Sequence, residues 1–276
     1  MVAHSLPEED MARQSLVDVI KMIDNTLGEV PVEAQFLMDL NRSIELTDKK
    51  NSRKPSQTFK PSQMNCMRAS YYTIKGIPQD ETKMESPFIG ICESGTDRHV
   101  RIQTAISLMT ENGIDCQYID VAEYIKQKKL KDIKVVSQQG METKLFHKKY
   151  NISFLCDGII RYKGEYYILE IKTESSRKFF ERSGVDPSHH QQAIAYSLAF
   201  DISKVIFIYE NRDVCGKKAF LFEVTDDMKQ DLIGYMENTN TYLKENKVPP
   251  KLRGRNDVER KTCDYCQYKG QCRKDG

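Results

Sequence analysis

The 276-residue sequence predicts an α/β fold with a central mixed sheet flanked by helices. Three observations carry that expectation. Patterned segments follow the order helix, strands, helix, strands, helix. The stretch CDGIIRYKGEYYILEIK, residues 156–172, reads as a hairpin around Lys163-Gly164. Asp186-Pro187 sets an N-cap and an N1 proline ahead of an apolar helix.

In chain order, Leu16, Ile20, Ile23 and Leu27, then Phe36, Leu37, Leu40 and Ile44, form two apolar stripes broken by Gly28 and Pro31. Two amphipathic helices are expected there. The Lys/Ser/Pro stretch 48–62 reads as a linker. The expected division is therefore an N-terminal helical segment with its linker, residues 1–61, and a second domain, residues 62–276. A helix over about 93–112 puts His99 on one stripe with Ile102, Ile106 and Met109. After the hairpin come a helix from Asp186-Pro187 to Phe200, strands over 204–210 and 218–224 joined near Gly216, and a long helix over 226–245 that stops before Pro249-Pro250.

Charged residues make up 30% and aromatics 9%, a globular composition at a length able to bury a sizeable core. Net charge is only +2, so nucleic-acid binding requires a local patch, for which 49–60, 126–134 and 253–261 are candidates. No apolar run is long enough for a bilayer and no secretory signal opens the sequence, so no membrane partner and a cytoplasmic setting are expected. No phosphate-cradling G-x4-GK-[ST] loop occurs, so any duplex unwinding would need a helicase or recombination partner.

The hairpin carries charges that call for a reason. With a two-residue loop at Lys163-Gly164, 162 faces 165 and Asp157 faces Glu170. Opposed residues on one face have Cβ atoms roughly 4.5 to 5.5 Å apart, where like charges repel, so something positive should lie between the two carboxylates. Lys172 returns to the same face two residues beyond Glu170, opposite Leu155, while Cys156 would oppose Ile171 on the buried face. Asp, Glu and Lys together suit metal-assisted phosphodiester hydrolysis with Mg²⁺ or Mn²⁺, in which a lysine positions the water that the ion activates. A hairpin whose charges are merely solvated is the alternative. His99 faces inward, as a core histidine or an added ligand, and Gln192 and Tyr196, four apart on one helix face, are able to orient the lysine or a phosphate.

Cys263-x2-Cys266-x5-Cys272 places three thiols around a small volume. A tetrahedral metal or a cubane cluster wants four. Cys92, Cys116, Cys156 and Cys215 accompany apolar segments, where cysteine acts as a small hydrophobe, which leaves Cys66 as the fourth ligand. Spacing alone does not separate zinc from an iron–sulfur cluster, and disulfides are not expected.

Gly95-x3-His99, Asp157, Glu170-Ile171-Lys172 and Gln192-Ala-Ile-Ala-Tyr196, bracketed by Cys66 and the triple-cysteine tail, resemble in that order the PD-(D/E)xK nuclease superfamily. The likeness is to its RecB-type iron–sulfur branch, which holds the CRISPR-associated exonucleases and the AddB nuclease domain, and it spans roughly residues 62–274. The resemblance implies a restriction-endonuclease-like core closed by a C-terminal cysteine cluster. It also implies a divalent ion on His99, Asp157, Glu170 and the Ile171 carbonyl, with Lys172 serving the water and Gln192 and Tyr196 supporting the lysine and the DNA strand. A 4Fe–4S cluster on Cys66, Cys263, Cys266 and Cys272 is implied as well. The activity so implied is exonucleolytic on single-stranded DNA or ends, with 5′ to 3′ polarity, in repair, recombination or related processing. Phe154-Leu155-Cys156 departs from the family, which usually has a glycine a few positions before the aspartate, and residues 1–61 match no family.

Overall fold

The structure is a computed structural model describing residues 31–51, 56–80 and 85–276. The first of the two expected N-terminal helices lies outside the described residues. The rest fall into two compact units, residues 31–51 with 85–90, and residues 56–80 with 91–276. In the first unit, α1 (Val32–Asn51) meets Ser86, whose hydroxyl donates to Asn41 Oδ1 at 2.9 Å and whose N–H donates to Glu45 Oε1 at 3.2 Å. The apolar residues Phe36, Leu37 and Leu40 of α1 are exposed.

The second unit is built on a five-stranded mixed sheet ordered β1-β5-β6-β7-β8: β1 (Cys116–Ile119), β5 (Gly158–Tyr162), β6 (Glu165–Glu174), β7 (Lys204–Asn211) and β8 (Lys217–Glu223). Only β6 and β7 run parallel. A parallel pair needs a long crossover, supplied here by α5 (Ser176–Glu181), a 3-10 turn (Pro187–His189) and α6 (His190–Phe200). β6 is the central strand, so it is apolar on both sides. Ile168 packs with Ile159, Ala195 and Phe200 on the α6 side, while Leu169 and Ile171 pack with Ile102 and Ile106 on the other. Those last two residues lie on α3 (Ser86–Ser107), which starts seven residues before its expected position and stops five short of it.

The Lys163-Gly164 loop takes φ of 49° and 85°, the left-handed pair a type I′ turn demands. The ladder from Tyr162↔Glu165 to Gly158↔Leu169 has the expected register. It ends there, which corrects the expectation for Asp157. β4 (Ile152–Cys156) belongs to a separate antiparallel sheet with β2 (Ile133–Gln139) and β3 (Glu142–His147), where Cys156 pairs with Thr143 and Leu155 with Lys144. Cys156 therefore does not oppose Ile171, nor Leu155 Lys172. The chain changes sheets through Asp157 and Gly158. Gly158 makes this possible: a Cβ there would meet the Tyr118 hydroxyl at 2.6 Å.

Asp186 caps the 3-10 turn that leads into α6, accepting from Ser188 N–H, so the helix expected to begin at Asp186-Pro187 opens with that turn and becomes α-helical at His190. Phe59, in the stretch read as linker, is buried, and its backbone bonds to Asn151 and Ser153 beside β4. Cys116 and Cys156 are buried, but Cys92 on α3 and Cys215 in the β7–β8 turn are exposed, so the small-hydrophobe reading fails for those two. β1, α4 (Val121–Gln127), β2 and β3 were not anticipated, because IKVVSQQ and ETKLFH mix polar residues into both faces of a strand. After α7 (Asp226–Lys244), the tail helices α8 (Asp257–Asp264) and α9 (Lys269–Lys274) lie against α2 (Met67–Lys75), with Tyr268 packed on Tyr72. No helix among the described residues is long and apolar enough to cross a membrane.

Candidate active site

Asp157 lies outside the ladder, so its side chain replaces a missing strand partner. Oδ2 accepts the Ile171 N–H at 2.7 Å. Its backbone carbonyl accepts from Gln103 Nε2 at 2.6 Å and from the Tyr118 hydroxyl at 2.8 Å. This clamp leaves Oδ1 turned toward His99, whose Nδ1 is 3.3 Å away. The same nitrogen is 3.5 Å from Glu142 Oε1 at the start of β3. Neither approach is aligned as a hydrogen bond, so Nδ1 is a buried polar atom without a hydrogen-bond partner. Burial acts against a charged ring, yet the two carboxylates outweigh it and raise the His99 pKa to about 10.

Glu170 and Lys172 emerge two residues apart on the α6 side of β6. Lys172 Nζ donates to Glu170 Oε1 at 2.5 Å and to Gln192 Oε1 at 3.0 Å. Gln192 Nε2 in turn donates to Glu170 Oε1 at 2.7 Å and to the Tyr196 hydroxyl at 2.7 Å, and that hydroxyl donates to the Leu155 carbonyl at 2.6 Å. Tyr196 is almost fully buried, with its ring against Phe154, so it supports Gln192 and presents no surface to a strand. Glu170 Oε2 is buried and unpartnered. Burial raises the Glu170 pKa, Lys172 draws it back and Asp157 pushes it up again, to about 7. A carboxylate held in this state wants a cation.

His99, Glu142 and Asp157 bring three ligand atoms within 4.8 Å of one another. Glu170 lies outside that group but close enough for Asp157 and His99 to act on its charge, and the donors are carboxylate oxygens and an imidazole nitrogen, a set that fits Mg²⁺ or Mn²⁺. The structure thus brings His99, Asp157, Glu170, Lys172 and Gln192 together, with Ile171 contributing its N–H to Asp157. Glu142, Gln103 and Tyr118 join them unanticipated. Gln103 lies four residues from His99 on the same inward stripe, a spacing that points to it. Nothing in the ETKLFH strand marks Glu142.

Four of the cysteines line a second cavity, of about 330 Å³. Cys66 caps α2, Cys263 lies in the last turn of α8, Cys266 follows that helix, and Cys272 lies in α9. Two donors point at sulfur: Tyr268 N–H at 3.4 Å from Cys266 Sγ and Arg68 Nη1 at 3.6 Å from Cys272 Sγ. Burial pushes the Cys66 thiol up to about 11, against the pull of the Ala69 N–H, with Cys266 and Cys263 adding to it. Four thiols line this one cavity with donors directed at two of the sulfurs, a ligand chemistry suited to a zinc ion or an iron–sulfur cluster, while no three of the sulfurs all lie within 4.8 Å of one another.

No protein-family model and no curated protein matches the chain. Among solved structures, SSO0001 is similar at 16% identity, covering 87% of this chain and 98% of its own, with a TM-score of 0.44. LHK-Exo, an alkaline exonuclease from Laribacter hongkongensis, is similar at 12% identity in two structures. The complex with dAMP covers 69% of this chain and 89% of its own at a TM-score of 0.42, and the other covers 70% and 90% at 0.37.

Proposed function

We propose that this chain is a divalent-metal-dependent deoxyribonuclease of the PD-(D/E)xK type that digests single-stranded DNA or DNA ends exonucleolytically, from 5′ to 3′. One observation carries the reading. Two buried ligand atoms lack hydrogen-bond partners: His99 Nδ1, 3.3 Å from Asp157, and Glu170 Oε2, on a carboxylate that Asp157 acts on electrostatically and whose other oxygen holds a lysine ammonium together with Gln192.

In this reading His99, Asp157, Glu170 and the Ile171 carbonyl hold Mg²⁺ or Mn²⁺, with Glu142 as a further donor. When bound, the ion acidifies a water and neutralises charge developing on the phosphate. The Ile171 N–H keeps the Asp157 carboxylate oriented. Burial works against the Lys172 ammonium, but Glu170 more than compensates and its pKa lies above the usual lysine value. Lys172 therefore orients the attacking water by donating from Nζ and does not take its proton. Gln192 holds that ammonium in place, and Tyr196 holds Gln192.

The four cysteines, in the same reading, carry a 4Fe–4S cluster that joins α2 to the tail, with zinc the competing occupant. The protein would act in repair, recombination or related processing, with a helicase or recombination partner for duplex substrates. Incubating end-labelled single- and double-stranded DNA with Mg²⁺, then Mn²⁺, tests the activity and its direction. Closed circular single strands should survive; their cleavage would make the enzyme an endonuclease. A protein inert with both ions that still binds DNA would be a metal-stapled assembly factor. A brown protein absorbing broadly near about 400 nm identifies the cluster, and a colourless one with stoichiometric zinc rejects it.

A further inference from the structure

Beside Lys172 and Gln192 opens a cavity of about 490 Å³, within the usual range for a bound small molecule or nucleotide. Its charged lining is Lys172, Lys178, Arg182 and Lys261 against Glu174 and Asp186. Both carboxylates are already engaged, Glu174 by Arg182 at 2.7 Å and Asp186 by Arg182 at 3.2 Å and by Lys261 at 3.6 Å, and Arg182 itself stacks 4.1 Å over the Tyr209 ring. The cavity is therefore cationic, with Lys178 and Lys261 on its rim.

At its mouth stands Tyr265, 79% exposed, the most exposed aromatic side chain among the described residues. Packing does not account for it: Tyr265 joins no buried cluster, whereas the neighbouring Tyr268 is buried against Tyr72. Cys266, the next residue, belongs to the cysteine cage and also lines this cavity, so the cage fixes the backbone that carries Tyr265.

We propose that this cavity seats one unpaired nucleotide next to the scissile phosphate, its base stacked on Tyr265 and its phosphate against Lys178 and Lys261. The inference rests on the nuclease reading above and gives it a residue that selects single strands. A base in a duplex has its faces covered by its neighbours, whereas an unpaired base offers a π-face to an aromatic ring, a contact worth roughly 10-fold or more in affinity.

The test uses the full chain and a single-stranded oligodeoxynucleotide containing 2-aminopurine, titrated without divalent ions. The expected result for Tyr265→Ala is roughly 10-fold weaker binding, loss of the fluorescence quench seen with wild type, and a KM raised to match with kcat nearly unchanged. Tyr265→Phe keeps wild-type behaviour, and duplex affinity does not move. Equal binding and equal quench by wild type and Tyr265→Ala overturn the inference while a wild type that digests DNA leaves the nuclease reading standing. A wild type that neither binds nor digests single strands removes both. Metal analysis of each variant shows whether the cage survives; if Tyr265→Ala loses its metal, Tyr265→Trp decides, a stronger quench supporting the stack and an unchanged one rejecting it.

Discussion

The side-chain oxygen of Gln192 accepts from the Lys172 ammonium at 3.0 Å, while its amide nitrogen donates to Glu170 Oε1, the same oxygen that Lys172 engages. The three groups form a closed triangle on the α6 side of β6. Between Lys172 and Glu170, each polar end of Gln192 fits only one, since an ammonium has no acceptor and an ionised carboxylate no donor.

Removing a corner of the triangle should separate chemistry from folding. Lys172→Ala is expected to lower turnover by roughly 10² to 10⁴-fold, the range for a group that assists proton transfer or positions the water. Gln192→Ala should lower it less, because Glu170 still holds the lysine, but it leaves Tyr196 and Glu170 each short of a donor and costs about 1–3 kcal/mol of stability. Initial rates on end-labelled single strands and urea unfolding measure the two effects. A Lys172→Ala enzyme as fast as wild type would remove the lysine from the mechanism.

Proton linkage predicts how pH and metal act together. Without a divalent ion, the folded Glu170 pKa, about 7, lies above its unfolded value, and the folded His99 pKa, about 10, lies above its own. Both groups bind more protons folded than unfolded. Their contribution is present below the unfolded pKa values and is lost as pH rises through about 7 for Glu170 and about 10 for His99. A divalent ion needs the deprotonated forms, so its stabilisation runs the other way. Metal-free protein should melt at lower temperature as pH rises from about 6 to about 9, and the increase in Tm on adding Mn²⁺ should be larger at the upper end. An equal increase at both ends would show that neither group is a ligand.

How much of this was legible in the sequence follows from the range of each interaction. The Lys163-Gly164 turn set the β5–β6 register, period two put Glu170 and Lys172 on one face, and helical spacing aligned Gln192 with Tyr196 and His99 with Ile102. All are local. Asp157 was placed in the right neighbourhood for an incomplete reason: it was read as a ladder partner of Glu170, whereas the chain leaves the ladder there and its carboxylate caps Ile171. Glu142 and Arg68 were invisible because only tertiary folding carries a strand of the second sheet to His99 and a helix α2 residue to Cys272. Cys92 and Cys215 were misread because an apolar neighbour in sequence is not burial.

α3 carries His99 and is fastened by the residue beside it. Glu210 on β7 is completely buried and accepts from Arg98 at 2.7 Å and from Arg101 at 2.6 and 2.7 Å, with Lys217 at 3.2 Å. Glu210→Gln leaves three cations facing a neutral group. The expected loss is about 1–3 kcal/mol, below that of a fully buried pair because Arg101 and Lys217 are half-exposed and keep their solvation, together with weaker Mn²⁺ binding as α3 loosens. Urea unfolding and calorimetric Mn²⁺ titration check the two effects, and unchanged metal affinity in a destabilised variant would confine Glu210 to stability.

The cage should behave as a fold element. Cys272 is met by the buried Arg68, whose Nε also donates to the Pro249 carbonyl at 2.6 Å, so one guanidinium ties α2, the chain after α7 and α9 together. Cys272→Ala should release the bound metal and lower soluble yield, because metal binding and folding are linked. Arg68→Ala should retain the metal more weakly. Metal content and melting temperature report both, and a metal-free variant as stable as wild type would refute the structural role.

The sheet change at Asp157 gives the sharpest steric expectation. Gly158 has φ of +157°, and an added Cβ would lie 2.6 Å from the Tyr118 hydroxyl and 2.7 Å from a ring carbon. That hydroxyl is one of the two donors on the Asp157 carbonyl. The Tyr118 ring has little room to retreat, since its hydroxyl also bonds to the Met141 carbonyl at 3.2 Å and the ring packs with the Ile102 and Ile106 cluster. Gly158→Ala should therefore cost about 1–3 kcal/mol through overpacking and shift Asp157 away from His99. Tyr118→Phe, which removes the hydroxyl and keeps the ring, should do less to stability and still weaken Mn²⁺ binding through the lost clamp. If Gly158→Ala in the Tyr118→Phe background recovers part of the stability lost by Gly158→Ala alone, the hydroxyl is the clash. Strict additivity would place the clash on the ring carbons that Tyr118→Phe retains, or in the backbone.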